Sequence, residues 1–233
     1  MTAAFATTAS APPMLPSFVD ICTQAAPLVS IVLLAAPLPT IQNARKEESV
    51  GSLPLLPYSS MAANCGLWLS YGFLKQEPAL MGPNFVGLLL ALYYMNSYAK
   101  FSAPKAPTIP GSLRQHKVAV AGVLAVALWA GIAKVRPDMI GYAAVAFCIA
   151  MFGSPLASLK TVLATKSAKS IPLPFTIASV ANCFLWTVTG AFKLKDPNII
   201  LPNALGLTFG VAQVVLKLIY GERRSRSHGM ATP

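Results

Sequence analysis

The sequence predicts an all-α membrane protein: seven transmembrane helices laid out as three, one and three, with two parallel three-helix repeats around a linker helix. Three observations predict it: too little charge for a water-facing surface, apolar runs of bilayer-spanning length, and an internal duplication that leaves one span over. Of 233 residues, 55% are hydrophobic and only 11% charged, with a mean hydropathy of +0.60. A soluble domain carries about 25% charged residues.

The seven apolar stretches run 21–41, 53–74, 79–98, 118–133, 139–163, 171–192 and 199–220. Each suits a hydrocarbon core of about 30 Å. The alternation of a membrane β-barrel strand is absent. The loops are short, and the longest, around Ala103–Gly111, is rich in proline and reads as a semi-rigid connector. The duplication divides the chain into a leader (1–17), a first repeat (18–101), a linker with the fourth helix (102–135), a second repeat (136–220) and a basic tail (221–233).

The formal charge of +11 is an orientation signal and not a nucleic-acid footprint. Assigning loops alternately to two sides puts thirteen Lys and Arg residues on the side of the C-terminal tail and five on the other. Lys and Arg concentrate on the cytoplasmic side. The tail with Arg223, Arg224 and Arg226 is therefore expected in the cytoplasm, at anionic lipid headgroups, and the N-terminus outside or in a lumen. Met1–Ser17 has no Lys or Arg, so it lacks the basic segment of a signal peptide. No address motif separates plasma membrane from endomembranes. Cys22, Cys65, Cys148 and Cys183 lie in or near spans without a metal-binding spacing, and read as small packing residues.

A shift of 118 residues superposes the first part of the chain on the second. Pro37-Leu38 meets Pro155-Leu156, Pro54-Leu55 meets Pro172-Leu173, Ala63-Asn64-Cys65 meets Ala181-Asn182-Cys183, and Leu67-Trp68 meets Leu185-Trp186. Between Ala35 and Gly72, 12 of 38 positions are identical. After one inserted residue, Pro83-Asn84 meets Pro202-Asn203. Matched Trp, Asn, Cys and Pro exceed what shared hydrophobicity explains. Spans one to three repeat as spans five to seven. A single unmatched span restores the starting side, which makes the repeats parallel and places a substrate site between them near the midplane.

In the order and spacing of Ala36-Pro37-Leu38-Pro39-Thr40, Leu56-Pro57-Tyr58, Asn64-Cys65-Gly66-Leu67-Trp68, Pro83-Asn84, Gly153-Ser154-Pro155-Leu156 and Leu201-Pro202-Asn203, the chain resembles the SWEET sugar transporters over about Val19–Tyr220. The resemblance implies a bidirectional sugar uniporter working by alternating access, with homo-oligomers in the family.

Asn64, Asn84, Asn182 and Asn203 sit within apolar spans, where an unpaired amide costs several kcal/mol. One reading is interhelical glue. The other, which their repetition favours, is a shared cavity whose amides both donate to and accept from sugar hydroxyls. The resemblance implies sugar contact for Asn84 and Asn203, with Asn64 and Asn182 as second choices. Trp68 and Trp186 either join an interfacial belt or offer flat faces to sugar C–H groups. Each lies four residues beyond an Asn, on the same helical face. The resemblance strengthens the pocket for Trp186. At Trp68, plant members usually carry a small residue, so the indole here favours a glucose-like hexose over a disaccharide.

Pro37 and Pro155 lie inside spans one and five, where the missing N–H and the ring kink a helix. Prolines also begin spans two and six. The resemblance implies four hinge prolines at the cytoplasmic end, and the choice between Pro54 and Pro57, and between Pro172 and Pro174, stays open. Gly72, Gly87, Gly190 and Gly206 are expected to permit close helix approach.

All seven acidic residues lie in tails, loops or at span edges, and both histidines lie outside the predicted spans. Proton-coupled carriers need an intramembrane ionisable group, so transport is expected to follow the sugar gradient. Nothing supports an enzyme, a metal or a cofactor. Two alternatives are a carrier of the related PQ-loop type, which places Pro-Gln where this chain has Pro37-Leu38 and Pro155-Leu156, and a seven-helix receptor, which lacks such a repeat.

Overall fold

The computed structural model describes residues 17–102, 108 and 111–221. The leader up to Pro16, most of the proline-rich connector and the tail from Glu222 lie outside the described residues. Among the described residues every regular element is helical: α1 (Phe18–Ala35), α2 (Leu38–Lys46), α3 (Leu56–Lys75), α4 (Pro78–Phe101), α5 (Leu113–Ile132), α6 (Pro137–Met151), α7 (Gly153–Thr165), α8 (Leu173–Val188), a π-helical turn (Thr189–Leu194) and α9 (Pro197–Tyr220). α1 and α2 form one bent span, as do α6 and α7, which leaves seven crossings.

Local sequence explains the boundaries. Ser17 with Asp20 and Ser112 with Gln115 form capping boxes that start α1 and α5, each satisfying two otherwise orphaned donors. Pro78, Pro137 and Pro197 open α4, α6 and α9, at the position where a helix has no use for an N–H. Left-handed residues Gln76, Lys166 and Lys195 end α3, α7 and the π turn. Six spans are long and apolar enough to cross a membrane. α3 is equally long but richer in polar and small residues, because 11 of its 20 residues are buried by protein and need no lipid-facing chemistry.

The bends fall beside the expected prolines. α1 stops at Ala35 and α2 resumes at Leu38, around Pro37. Ala36 donates to the Leu33 carbonyl at 3.2 Å, a tightened last turn. α6 ends at Met151, whose carbonyl would need the N–H that Pro155 lacks, and Phe152 turns back to the Ile149 carbonyl at 3.1 Å. Pro57 and Pro174 occupy the second positions of α3 and α8, Pro172 caps α8, and Pro54 precedes α3. These four begin helices and bend none.

In each repeat the third helix lies between the other two: α4 packs on α1 and α3, and α9 on α6 and α8. Between repeats, α1 packs on α8 and α3 on α6, two contacts related by the pseudo-twofold. The linker helix α5 packs on α3. There the structure corrects one expectation: His116 lies inside α5 and is 7% exposed. Its Nδ1 sits 2.7 Å from the Ser59 hydroxyl and its Nε2 2.9 Å from the Thr108 carbonyl. α5 begins one turn before its apolar run because the capping box extends it, which pulls His116 against α3.

The two ends of the bundle differ. At the end that carries Lys46, Lys100, Lys166 and Lys217, the basic end, the half-helices α2 and α7 are fastened within their own repeats. Arg45 of α2 donates to Ser97 of α4 at 3.1 Å and lies over the Tyr93 ring. The loop after α7 is tied to the end of α9 by Ala168 N–H to Gly221 O at 2.9 Å and Lys217 Nζ to Ala168 O at 3.0 Å. At the opposite end, marked by Ser17, the cross-repeat contacts of α1 and α6 join the two halves.

Candidate functional site

A cavity of about 290 Å³ lies between the repeats, and Asn64, Asn84, Asn182, Asn203, Trp68 and Trp186 all line it. The sequence candidates therefore converge on one place, although they come from four helices. Pro83 and Pro202 also line it, whereas Pro37, Pro54, Pro57, Pro155, Pro172 and Pro174 are not among its lining residues.

The polar groups fall into two pseudo-symmetric sets. Asn84 Nδ2 donates to the Leu80 carbonyl at 2.8 Å, and Asn203 Nδ2 to the Ile199 carbonyl at 2.8 Å. Each bond runs one turn back along a helix that Pro83 or Pro202 interrupts, and each leaves the amide oxygen uncommitted. Asn64 and Asn182 are the converse, because their oxygens are occupied. Cys148 Sγ donates to Asn64 Oδ1 at 3.2 Å, and Ser30 Oγ to Asn182 Oδ1 at 2.8 Å. Their Nδ2 groups stay uncommitted. The cavity thus offers two amide oxygens and two amide nitrogens, an acceptor and donor set that complements hydroxyl groups.

The indoles are held by the same two residues. Trp186 Nε1 donates to Ser30 Oγ at 2.8 Å, and Trp68 Nε1 to Cys148 Sγ at 3.4 Å. Both Trp residues are buried, at 7% and 5% exposure for Trp68 and Trp186. That burial places them in the cavity wall and not in a lipid-facing belt. Where the second and third helices meet, a Cβ on Gly87 would lie 2.7 Å from Cys65 Sγ, and one on Gly206 would lie 2.8 Å from Cys183 Sγ, itself a lining residue of the cavity. Glycine lets the third helix approach the second closely at both places. Cys65 and Cys183 pack as expected. Cys148 does not, since it is a polar partner in the cavity.

Sequence reasoning missed a polar layer that joins the two repeats toward the Ser17 end. Tyr71 donates to Asp196 Oδ2 at 2.6 Å, Asn198 Nδ2 to the Tyr71 oxygen at 3.2 Å, and Lys75 Nζ lies 3.4 Å from Asp196 Oδ2. Asp196 is 3% exposed and also caps α9 through the Asn198 N–H at 3.0 Å. It stands at a span edge as expected, but it is buried by the other repeat. A second cross-repeat pair joins Lys193 of the π turn to Asp20 of α1 at 3.1 Å. Trp68 meets Tyr71 edge-on, with centroids 5.7 Å apart, so this layer rests directly on the cavity wall.

Comparison with known proteins agrees with the architecture. A family model described as "Sugar efflux transporter for intercellular exchange" matches residues 21–106 and 138–225. The rice (Oryza sativa subsp. indica) bidirectional sugar transporter SWEET15 is 29% identical over 200 residues, 84% of this chain. The chain spans 62% of that relative's length. Rice bidirectional sugar transporter SWEET4 is 33% identical over 196 residues, covering 82% of this chain and 75% of its own. The Rattus norvegicus sugar transporter SWEET1 is 30% identical over 189 residues, covering 81% and 85%. The solved structure of a eukaryotic SWEET transporter superposes with a TM-score of 0.70 at 22% identity, covering 88% of this chain and 99% of that one. With both repeats matched and the helical architecture shared, the chain belongs to the SWEET family of integral membrane proteins.

Proposed function

We propose that this chain carries a glucose-like hexose across a membrane in either direction by alternating access, driven by the sugar gradient. One observation carries the reading: four amides and two indoles, half from each repeat, converge on a cavity between the repeats. The amides match hydroxyls, and the indoles supply faces for C–H groups. A cavity of about 290 Å³ lies just below the ~300–1,000 Å³ range of ligand clefts, which favours a monosaccharide. Among the described residues its lining holds no charged side chain to pair with the carboxylate or ammonium of an amino acid, which argues against the PQ-loop reading.

The basic end is cytoplasmic by the distribution of Lys and Arg. Tyr71, Asp196, Lys75, Lys193 and Asp20 then form an outer barrier, and α2 and α7, each packed on the third helix of its own repeat, belong to an inner gate. Opening the outside requires breaking these polar contacts and bringing α2 and α7 together about the bends at Pro37 and Pro155. Asp196 enters as a structural partner of Tyr71 and Lys75, outside the cavity, so no proton needs to travel with the sugar.

Flux of radiolabelled glucose and sucrose in proteoliposomes, with and without a pH gradient, tests the reading. Glucose flux that ignores the gradient and is lost in Asn203→Ala with insertion intact supports it. Accumulation driven by protons overturns the uniport mechanism. No flux of either sugar from folded protein overturns the substrate.

A further inference from the structure

Ser30 and Cys148 are 118 residues apart, the interval that relates the two repeats, so they are equivalent positions filled by different residues. Each comes from the first helix of its repeat and reaches into the other repeat. Ser30 lies between Trp186 and Asn182, and Cys148 between Trp68 and Asn64. In both, one heteroatom accepts from an indole and faces an amide oxygen as donor; the single Ser30 proton is shared between Asn182 Oδ1 at 2.8 Å and the Ala26 carbonyl at 3.0 Å. The geometry is duplicated, but the strength is not. Trp186 reaches an oxygen at 2.8 Å, whereas Trp68 reaches a sulfur at 3.4 Å. Sulfur is a weak acceptor and thiol a weak donor.

We propose that Ser30 and Cys148 are positioning residues for the two halves of the cavity, and that exchanging hydroxyl for thiol makes one half firm and the other adjustable. Ser30 orients Trp186 and fixes the Asn182 amide with its nitrogen uncommitted. Cys148 does the same for Trp68 and Asn64 with looser bonds. The sugar is gripped on the second-repeat side, and the first-repeat side adapts to it. Because each bridge crosses between repeats, it is also broken or remade when the repeats rock. This inference rests on the cavity being a sugar site, and it adds which residues set that site's geometry.

The test is the rank order of Ser, Cys and Ala at both positions. A packing role at these partly buried sites favours Cys or Ala over Ser, whereas a hydrogen-bonding role demands Ser, then Cys, then Ala. Ser30→Cys is expected to raise the hexose KM, and Ser30→Ala to raise it further, by roughly 3- to 10-fold in all. Cys148→Ser should lower KM, and Cys148→Ala should raise it, with kcat changing less. In a Trp129→Phe background, the indole emission of the folded protein without sugar should shift in the same order, since Trp68 and Trp186 are then the only indoles among the chain's three. Normal wild-type flux with an unchanged KM and emission across the series overturns the positioning role and leaves the sugar reading standing. An ordered emission shift in a protein that moves no sugar keeps the positioning role and sinks the sugar reading. A rank order of Cys or Ala above Ser assigns both positions to packing.

Discussion

The Tyr71 hydroxyl lies 2.6 Å from Asp196 Oδ2, joining α3 of the first repeat to the cap of α9 in the second. The carboxylate is buried, and its other partners are Lys75 and the Asn198 N–H. Bonds to charged groups contribute about 1.5–3 kcal/mol each. Tyr71→Phe removes the donor and keeps the ring against Trp68. The barrier at this end should weaken, and the conformer open to the Ser17 end should gain population. An impermeant thiol reagent applied from that side should then label the cavity cysteines Cys148 and Cys183 several-fold faster than in wild type. Unchanged labelling would remove this bond from the barrier.

The paired glycines allow a test of packing without touching polar groups. A methyl on Gly206 would sit 2.8 Å from Cys183 Sγ, with Phe152 no closer than 3.5 Å. Overpacking of this kind costs about 1–3 kcal/mol. Gly206→Ala should lower the unfolding temperature in detergent, and Cys183→Ala in the same chain should restore most of the loss. Gly87→Ala should be harder to rescue with Cys65→Ala, because Leu34 also lies 2.8 Å from the added atom. Equal rescue at both sites would contradict the packing described.

Pro155 and Pro37 differ from the prolines that begin helices, because each withholds an N–H from a carbonyl in the preceding turn. Pro155→Ala supplies that donor to Met151, so α6 and α7 should merge into a straighter helix. Flux should fall severalfold while folding is kept or improved, since a kinking proline costs about 3 kcal/mol in a helix interior. Single-turnover sugar binding should survive. A variant with full flux would show that the bend is static.

Much of this was legible in the sequence, and the limits have physical causes. All seven crossings were visible because lipid demands long apolar runs, and the weakest signal, α3, belongs to the helix that protein buries most. The six cavity candidates were visible because Asn and Trp are conspicuous in apolar spans and occur twice at a fixed interval. Ser30 and Cys148 occupy the same interval but are different residues, so matching by identity passed over them. Tyr71 and Asp196 are 125 residues apart, and a lone Asp at a span edge resembles any solvated terminus until the other repeat is packed over it. His116 falls inside α5 because hydropathy marks only the apolar run, whereas the capping box at Ser112 marks where the helix starts.

The inserted residue between the repeats leads to the last prediction. Repeat register is 118 at Gly72 and Gly190 but 119 at Pro83 and Pro202. The extra residue is absorbed in Thr189–Leu194, where Lys195 N–H reaches back to the Gly190 carbonyl in a π-helical turn. Such turns persist where they serve a site. This one aims Lys193 at Asp20, 3.1 Å away across the repeats. The first repeat has no π turn, and its Lys75 pairs instead with Asp196. Deleting Ala191 should return the segment to α-helix and rotate the residues after it by about 100°. Lys193 should then leave Asp20 while the cap at Asp196 is pulled off register. Both outer contacts would be lost together, and thiol labelling from the Ser17 end should exceed that of Tyr71→Phe. Substituting Lys193→Gln removes only one contact and should have a smaller effect. If the deletion and Lys193→Gln label alike, the π turn contributes no more than the lysine it carries.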